Sequence, residues 1–429
     1  MTTLTQRLGR IVGIAVLVAF SAPASRAYSI LTHEAIINSV WDTSIQRLLQ
    51  KRFPRATPEQ LTEAHAYAYG GCIIQDMGYY PLSSQQFSDL THYVRAGDFI
   101  TALIRESQNL NEYAFALGAL AHYSADNNGH KLATNVAVPM LYPKLRAKFG
   151  AHVTYWDNPV SHARTEFSFD VLQVARGRYA ADGYREFIGF QVSKPVLERA
   201  FQDTYGIEMK EIFSDLDLAI GTYRYTISSI LPGMTKVAWR LKKDEIAKES
   251  PGATRQKFLF NVSRASYEKD YGTEYQKPGV RTRMMAWMIR VLPKVGPLAA
   301  LKFRTPTPEV EKMFMASFNA TVENYRTLLA NQEVGRLRLV NDNFDTGERT
   351  RLGEYKGADE AYAKLLAKLA DHQFEGVKPD LRNNILTFYS DLKTPVVDAK
   401  SKSSKKQMEE LATLREQLER LKGVPVSRR

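Results

Sequence analysis

His122, Asp126 and His130 stand four residues apart in turn, and His162 and Glu166 are also four apart. On a helix of about 3.6 residues per turn, positions i and i+4 project from one face. Imidazole and carboxylate sharing a face form a donor set that zinc accepts. His33, Asp76 and His92 precede them, so five of the eight histidines form a series interleaved with carboxylates in the N-terminal part of the chain. That is more nitrogen and oxygen ligand than one ion needs, and the pattern predicts a multinuclear zinc site. His65 and His372 lack such partners in sequence and are expected in the core or at the surface. Asp89 and Asp98 are expected as helix caps or solvated charges.

Helices must position these groups. Residues 28–230 read as mostly helical, with apolar side chains at three- and four-residue intervals; Leu110, Ala114, Leu117, Leu120 and Ala121 lead into His122. Gly129 is placed to close that helix just before His130. Asn158 followed by Pro159 is a helix start, which puts His162 and Glu166 inside the next helix. Residues 76–81, with Asp76 at their head, read as a loop or helix end. Thr307-Pro308-Glu309 opens a later helix, residues 341–357 form a charged loop, and another helix is expected near 359–369. Lys/Ser-rich residues 394–406 read as a linker. Leu411, Leu414, Leu418 and Leu421 mark a last helix, too short for an independent coiled coil and expected to dock on its own chain. No strand of convincing length interrupts residues 28–230.

The chain has 429 residues, 44% of them hydrophobic and 24% charged, which excludes wholesale disorder. Arg7 and Arg10 precede the apolar run 11–20, and Ser25-Arg26-Ala27 offers a cleavage site. Residues 1–27 therefore read as a secretory signal, with the mature chain starting at Tyr28 and exported to a secreted or periplasmic location. The apolar run is shorter than the ~20 residues of a membrane span. An uncleaved anchor is the alternative. The single cysteine, Cys72, excludes an internal disulfide and reads as a small buried side chain. The net charge of +12 is uneven: residues 231–306 carry 16 Lys/Arg against 6 Asp/Glu. Such a segment fits an anionic partner, whether lipid headgroups, nucleic acid or a phosphorylated substrate. The polar stretch 242–254 marks a boundary. The chain thus divides into a catalytic domain over 28–243, a basic helical region over 244–393, and a linker and terminal helix over 394–429.

The motifs together resemble the zinc-dependent phospholipase C and single-strand nuclease superfamily, an all-helical trinuclear zinc fold. Tyr28-Ser29-Ile30-Leu31-Thr32-His33 is similar to its mature N-terminus, where the first residue, usually Trp, binds zinc through its amino and carbonyl groups. Gln75-Asp76-Met77-Gly78-Tyr79 resembles the aspartate loop, and Thr91-His92-Tyr93 the following histidine motif. His122, Asp126 and His130 resemble the central ligand helix; His162 and Glu166 resemble the last pair. There are two departures: three residues rather than five separate Asp126 from His130, and the gap from His130 to His162 is long. His152 lies in that gap as an alternative ligand to His162.

The resemblance implies an all-α fold, a multi-helix body of phospholipase C/nuclease type with a helical C-terminal extension. It implies three zinc ions: one on the Tyr28 backbone, His33 and Asp126; one on Asp76, His92, His122 and Asp126; one on His130, His162 and Glu166. The implied activity is phosphodiester hydrolysis of a phospholipid headgroup by metal-activated water, with Asp76 as general base or orienting group. A nuclease on the same metals and a non-catalytic zinc-stabilised protein holding an anionic surface are the alternatives. Within 231–306, Arg281, Arg283, Arg290, Lys294, Lys302 and Arg304 flank Met284, Met285, Trp287, Met288 and Ile289. That mixture suits either an anionic bilayer surface or a helix packed on the body with solvated basic ends.

Overall fold

The structure, a computed structural model, describes residues 29–175, 190–227, 303–392 and 402–424, together with Asp244. Residues 1–27, Tyr28, most of the basic stretch 231–306, most of the boundary at 242–254 and residues 394–401 of the expected 394–406 linker lie outside the described residues; residues 402–406, expected as linker, are instead the start of the last helix. The described chain is all-α apart from one two-stranded ladder. Its helices are α1 (Ile30–Val40), α2 (Gln46–Arg52), α3 (Pro58–Gly71), α4 (Gln85–Tyr93), α5 (Ala96–Glu106), α6 (Leu110–Gly129), α7 (Asn135–Leu141), α8 (Pro143–Phe149) and α9 (Pro159–Ala175). They continue as α10 (Lys194–Tyr205), α11 (Leu216–Tyr225), α12 (Pro308–Glu333), α13 (Lys356–Asp371), α14 (Pro379–Phe388) and α15 (Lys402–Lys422). Strands β1 (Asp342–Asn343) and β2 (Glu348–Arg349) pair antiparallel between α12 and α13. Among the described residues no helix is long and apolar enough to cross a membrane.

Helix α6 is the axis of the body. Asn109 caps it by accepting the Glu112 N–H at 3.0 Å, satisfying an amide the helix leaves unpaired. Helix α3 begins with a capping box between Thr57 and Gln60 and with Pro58 in its first turn. The two helices meet through glycines. A Cβ on Gly118 would stand 2.0 Å from the Ala68 carbonyl oxygen, and one on Gly71 would stand 1.9 Å from that of Phe115. Only backbones without Cβ atoms can approach so closely, and the contact brings Cys72, at the end of α3, against His122.

On its other side α6 is held by α12, whose Tyr325 hydroxyl donates to the Leu117 carbonyl at 2.7 Å. Ser124 Oγ donates to the Thr321 carbonyl at 3.1 Å. The Thr307 cap and Pro308 start α12 where the sequence places it. One contiguous apolar cluster runs from Ile30 to Leu421, so the C-terminal helices share the core of the N-terminal body. Leu418 and Leu421 are buried, and Arg420 donates to the Ala370 carbonyl at 3.0 Å, which docks α15 on its own chain. Cys72 is buried and free, as expected. Arg304, at the end of the basic stretch, donates to the Leu141 carbonyl at 2.7 Å and lies over the Tyr142 ring.

Two expectations change. Gly129 does not end its helix: its φ of −63° is helical, and the chain continues through a π turn, His130–Thr134. Such widened turns are frequent at functional sites, and this one carries His130. Asp89 is neither a cap nor a solvated charge, being buried on α4 with Lys364 of α13 4.0 Å away. Burial lifts its carboxyl to about 7 against the opposing pull of Lys364 and His92.

Candidate metal centre

Eight of the nine residues expected as metal ligands fall within the described residues, and all eight are buried. His122 and Asp126 project from α6, His130 from the π turn, His162 and Glu166 from α9, and His92 from the last turn of α4. His33 comes from the first turns of α1. Asp170 of α9 grips the start of that helix, accepting the Leu31 and Thr32 N–H groups at 3.1 Å each and the Thr32 hydroxyl at 2.6 Å. An anion at a helix N-terminus takes up amides with no helical partner and opposes the dipole, which fixes the placement of His33. Asp76 sits on a 3₁₀ turn, Ile74–Tyr79. Ser88 pins that turn to α4, donating its hydroxyl to the Gln75 carbonyl and accepting the Gly78 N–H at 2.9 Å.

The ring protons of two histidines are fixed by backbone carbonyls. His122 Nδ1 lies 2.9 Å from the Cys72 oxygen, and His92 Nδ1 lies 2.8 Å from the Ser88 oxygen. A carbonyl only accepts, so each Nδ1 carries the proton and each Nε2 of the neutral ring presents a lone pair. Those two Nε2 atoms face each other at 3.4 Å. Asp126 Oδ2 stands 3.2 Å from the His122 Nε2 and 3.5 Å from that of His92. Asp76 Oδ1 is 3.5 Å from His92 Nε2, and Asp126 Oδ1 is 3.5 Å from His33 Nε2. Neither carboxylate accepts a hydrogen bond.

Facing lone pairs and buried carboxylates without donors are unstable together unless a cation lies among them. Ligands about 2.0–2.1 Å from a tetrahedral zinc are about 3.3 Å from each other, close to the separations found here. The donor set therefore fits zinc. Charge couples the cluster as well. Burial alone would raise the Asp126 carboxyl, but His122, His92 and His33 hold it well below the usual carboxylate range. Burial opposes charge on His92, yet Asp126 and Asp76 lift it to about 10. A proton there serves one acceptor at a time, whereas a metal ion draws on four.

Three groups of donors lie within metal-binding reach: His33, His122 and Asp126; Asp76, His92 and His122; and His130, His162 and Glu166. The third group coincides with an implied ligand set; the first contains His122 beside His33 and Asp126, the second lacks Asp126, and Tyr28 lies outside the described residues. The third group is built differently. His162 Nδ1 lies 2.8 Å from Glu166 Oε1, and its Nε2 lies 2.8 Å from Asn135 Oδ1. A metal there would replace a direct imidazole–carboxylate hydrogen bond. His152 is exposed and stands outside all three groups, whereas His162 lies in the third. His65 stacks on Trp41 with centroids 3.8 Å apart, and His372 pairs with Glu211 at 3.0 Å. Neither joins the cluster.

The structure adds a carboxylate that sequence reasoning missed. Asp345, in the turn between β1 and β2, is fully buried with Oδ1 3.4 Å from His130 Nε2. Its neighbour Phe344 packs edge-on to His92, with centroids 5.4 Å apart. The only sequence signal was an acidic run in a loop.

Residues 32–215 match the profile of a family described as zinc dependent phospholipase C. The match supports the zinc-dependent phospholipase C family for that segment. No curated protein and no solved structure matches the chain. The matched segment contains His33, Asp76, His92, His122, Asp126, His130, His162 and Glu166. Asp345 lies beyond it, so the region that follows the phospholipase C segment contributes a wall of the same centre.

Proposed function

We propose that this chain is an exported zinc-dependent phosphodiesterase that removes the headgroup from a phospholipid. The carrying observation is the pair of Nε2 atoms of His92 and His122 facing each other at 3.4 Å beside Asp76 and Asp126. Zinc, when bound, supplies acidified water as nucleophile and positive charge for the phosphoryl oxygens.

The chain's own groups divide the remaining work. Asp126 turns Oδ1 toward His33 and Oδ2 toward His92 and His122, an orientation suited to bridging two ions. Asp76 has two carboxylate oxygens without hydrogen-bond donors, so one can take up a proton while the other faces His92. The carbonyls of Cys72 and Ser88 keep the rings in the tautomer that ligation needs. Tyr79, Tyr155 and Phe344 pack against the imidazoles and exclude bulk water. They must part for a substrate to enter.

Under this reading cleavage after Ala27 frees the Tyr28 amino group as a further ligand. The grip of Asp170 on the start of α1 supports it by anchoring the chain beside His33. Residues 231–306 would hold an anionic bilayer surface. Release of phosphocholine from phosphatidylcholine, compared with release of nucleotides from single-stranded DNA, tests the proposal. Zinc-dependent turnover of DNA alone would replace it with the nuclease reading.

A further inference from the structure

We infer that Asp345 is a metal ligand supplied to the His130 corner of the centre by the region that follows the phospholipase C segment. The inference rests on the zinc reading above and extends it to a residue outside the 32–215 match.

Four observations support it. Asp345 Oδ1 is fully buried, accepts no hydrogen bond and stands 3.4 Å from His130 Nε2, which has no hydrogen-bond partner either. A buried carboxylate oxygen and a ring nitrogen, neither with a hydrogen-bond partner and at a ligand-to-ligand separation, are suited to sharing a cation. Asp345 Oδ2, in contrast, is well provided for: Tyr93 donates its hydroxyl at 2.9 Å, and Tyr355 donates a second. That division is the usual construction of a ligating carboxylate, with one oxygen for the metal and the other oriented by donors behind it.

The backbone around Asp345 is equally fixed. Its N–H donates to Asn343 Oδ1 at 2.9 Å, and its carbonyl accepts the Asn135 amide at 2.6 Å. Asn135 also faces His162 through Oδ1, so one side chain ties the hairpin to the third donor group. The Phe344 N–H donates to the His92 carbonyl at 3.1 Å, anchoring the turn to α4. At Gly347, with φ of +64°, a Cβ would stand 2.5 Å from the Asn127 carbonyl oxygen, so a glycine lets the turn close on α6. A surface loop without a role at the centre would not require these constraints.

The test is zinc content and resistance to a competing chelator in the full mature chain, for the wild type, Asp345→Asn and the exposed hairpin control Glu348→Gln. Asp345→Asn keeps the shape and the backbone bonds but lacks the anion. It should weaken one zinc ion by at least about 100-fold and leave the others unchanged, because even residues behind metal ligands account for 10–100-fold. Glu348→Gln should match the wild type. Wild-type zinc content and chelator resistance in Asp345→Asn would overturn the inference alone. A wild-type chain that takes up no zinc would overturn it together with the zinc reading. If Asp345→Asn loses its helical circular dichroism, Asp345→Glu decides on the cobalt-loaded protein. A changed visible spectrum with retained helix supports ligation, and an unchanged one overturns it.

Discussion

His122 Nε2 and His92 Nε2 face each other at 3.4 Å while each ring commits its Nδ1 proton to a backbone carbonyl. Two lone pairs pointed at one another have no stable arrangement in a buried site without a cation. This pair, more than the number of nearby carboxylates, is what makes the cluster a candidate metal centre.

Asp126 stands 3.5 Å from His33 through one carboxylate oxygen and within 3.5 Å of His92 and His122 through the other, the orientation a bridging ligand needs. Asp126→Asn should reduce bound zinc by more than one ion per chain and abolish zinc-dependent turnover. His33→Ala should cost about one ion. Zinc analysis of the two purified variants checks the order; equal losses would remove Asp126 from its bridging place.

Gly118 sets the separation of α3 and α6. Gly118→Ala forces a Cβ to within 2.0 Å of the Ala68 carbonyl oxygen, so the helices must move apart. Overpacking of this kind costs about 1–3 kcal/mol. The same shift draws the Cys72 carbonyl from His122, so zinc affinity should fall along with the urea midpoint. A variant less stable but unchanged in zinc affinity would show that the carbonyl does not position the ring.

His65 gives the fold an acid limb independent of the metals. Burial against Trp41 and Tyr69 lowers it to about 3 from the ordinary 6.5. Between those values the unfolded chain binds a proton that the folded ring refuses, so this contribution is present above about pH 6.5 and lost as pH falls toward 3. The slope reaches up to about 1.4 kcal/mol per pH unit, less where the half-buried ring keeps water. His65→Phe keeps the stack and should flatten stability against pH in that window. Parallel curves for the two proteins would contradict it.

The free amino group of Tyr28 is expected to ligate one ion. A precursor still carrying Ala27 should bind one zinc fewer, or bind it more weakly, than the mature chain. Equal zinc content in both forms would exclude the terminal ligand.

Local signals made most of this legible before the fold was known. The i, i+4 spacing of His122, Asp126 and His130 works because one helix and its π turn carry all three. Asn158 accepts the Ser161 N–H at 3.0 Å, as the Asn-Pro start of α9 implies. Asp345 was hidden because its place depends on a two-residue ladder and on contacts to Tyr93, Asn135 and Tyr355, none of which leaves a periodic trace. Asp89 was misread for a similar reason: α13, distant in sequence, buries it. The π turn after Gly129 escaped because a glycine near a helix end more often closes the helix than widens it.

Metal content and turnover of the mature chain on one preparation test the central claim most directly. About three zinc ions per chain are expected, with phosphocholine release from phosphatidylcholine that a chelator abolishes and added zinc restores. A folded chain without zinc, or one whose turnover survives its removal, would contradict the account.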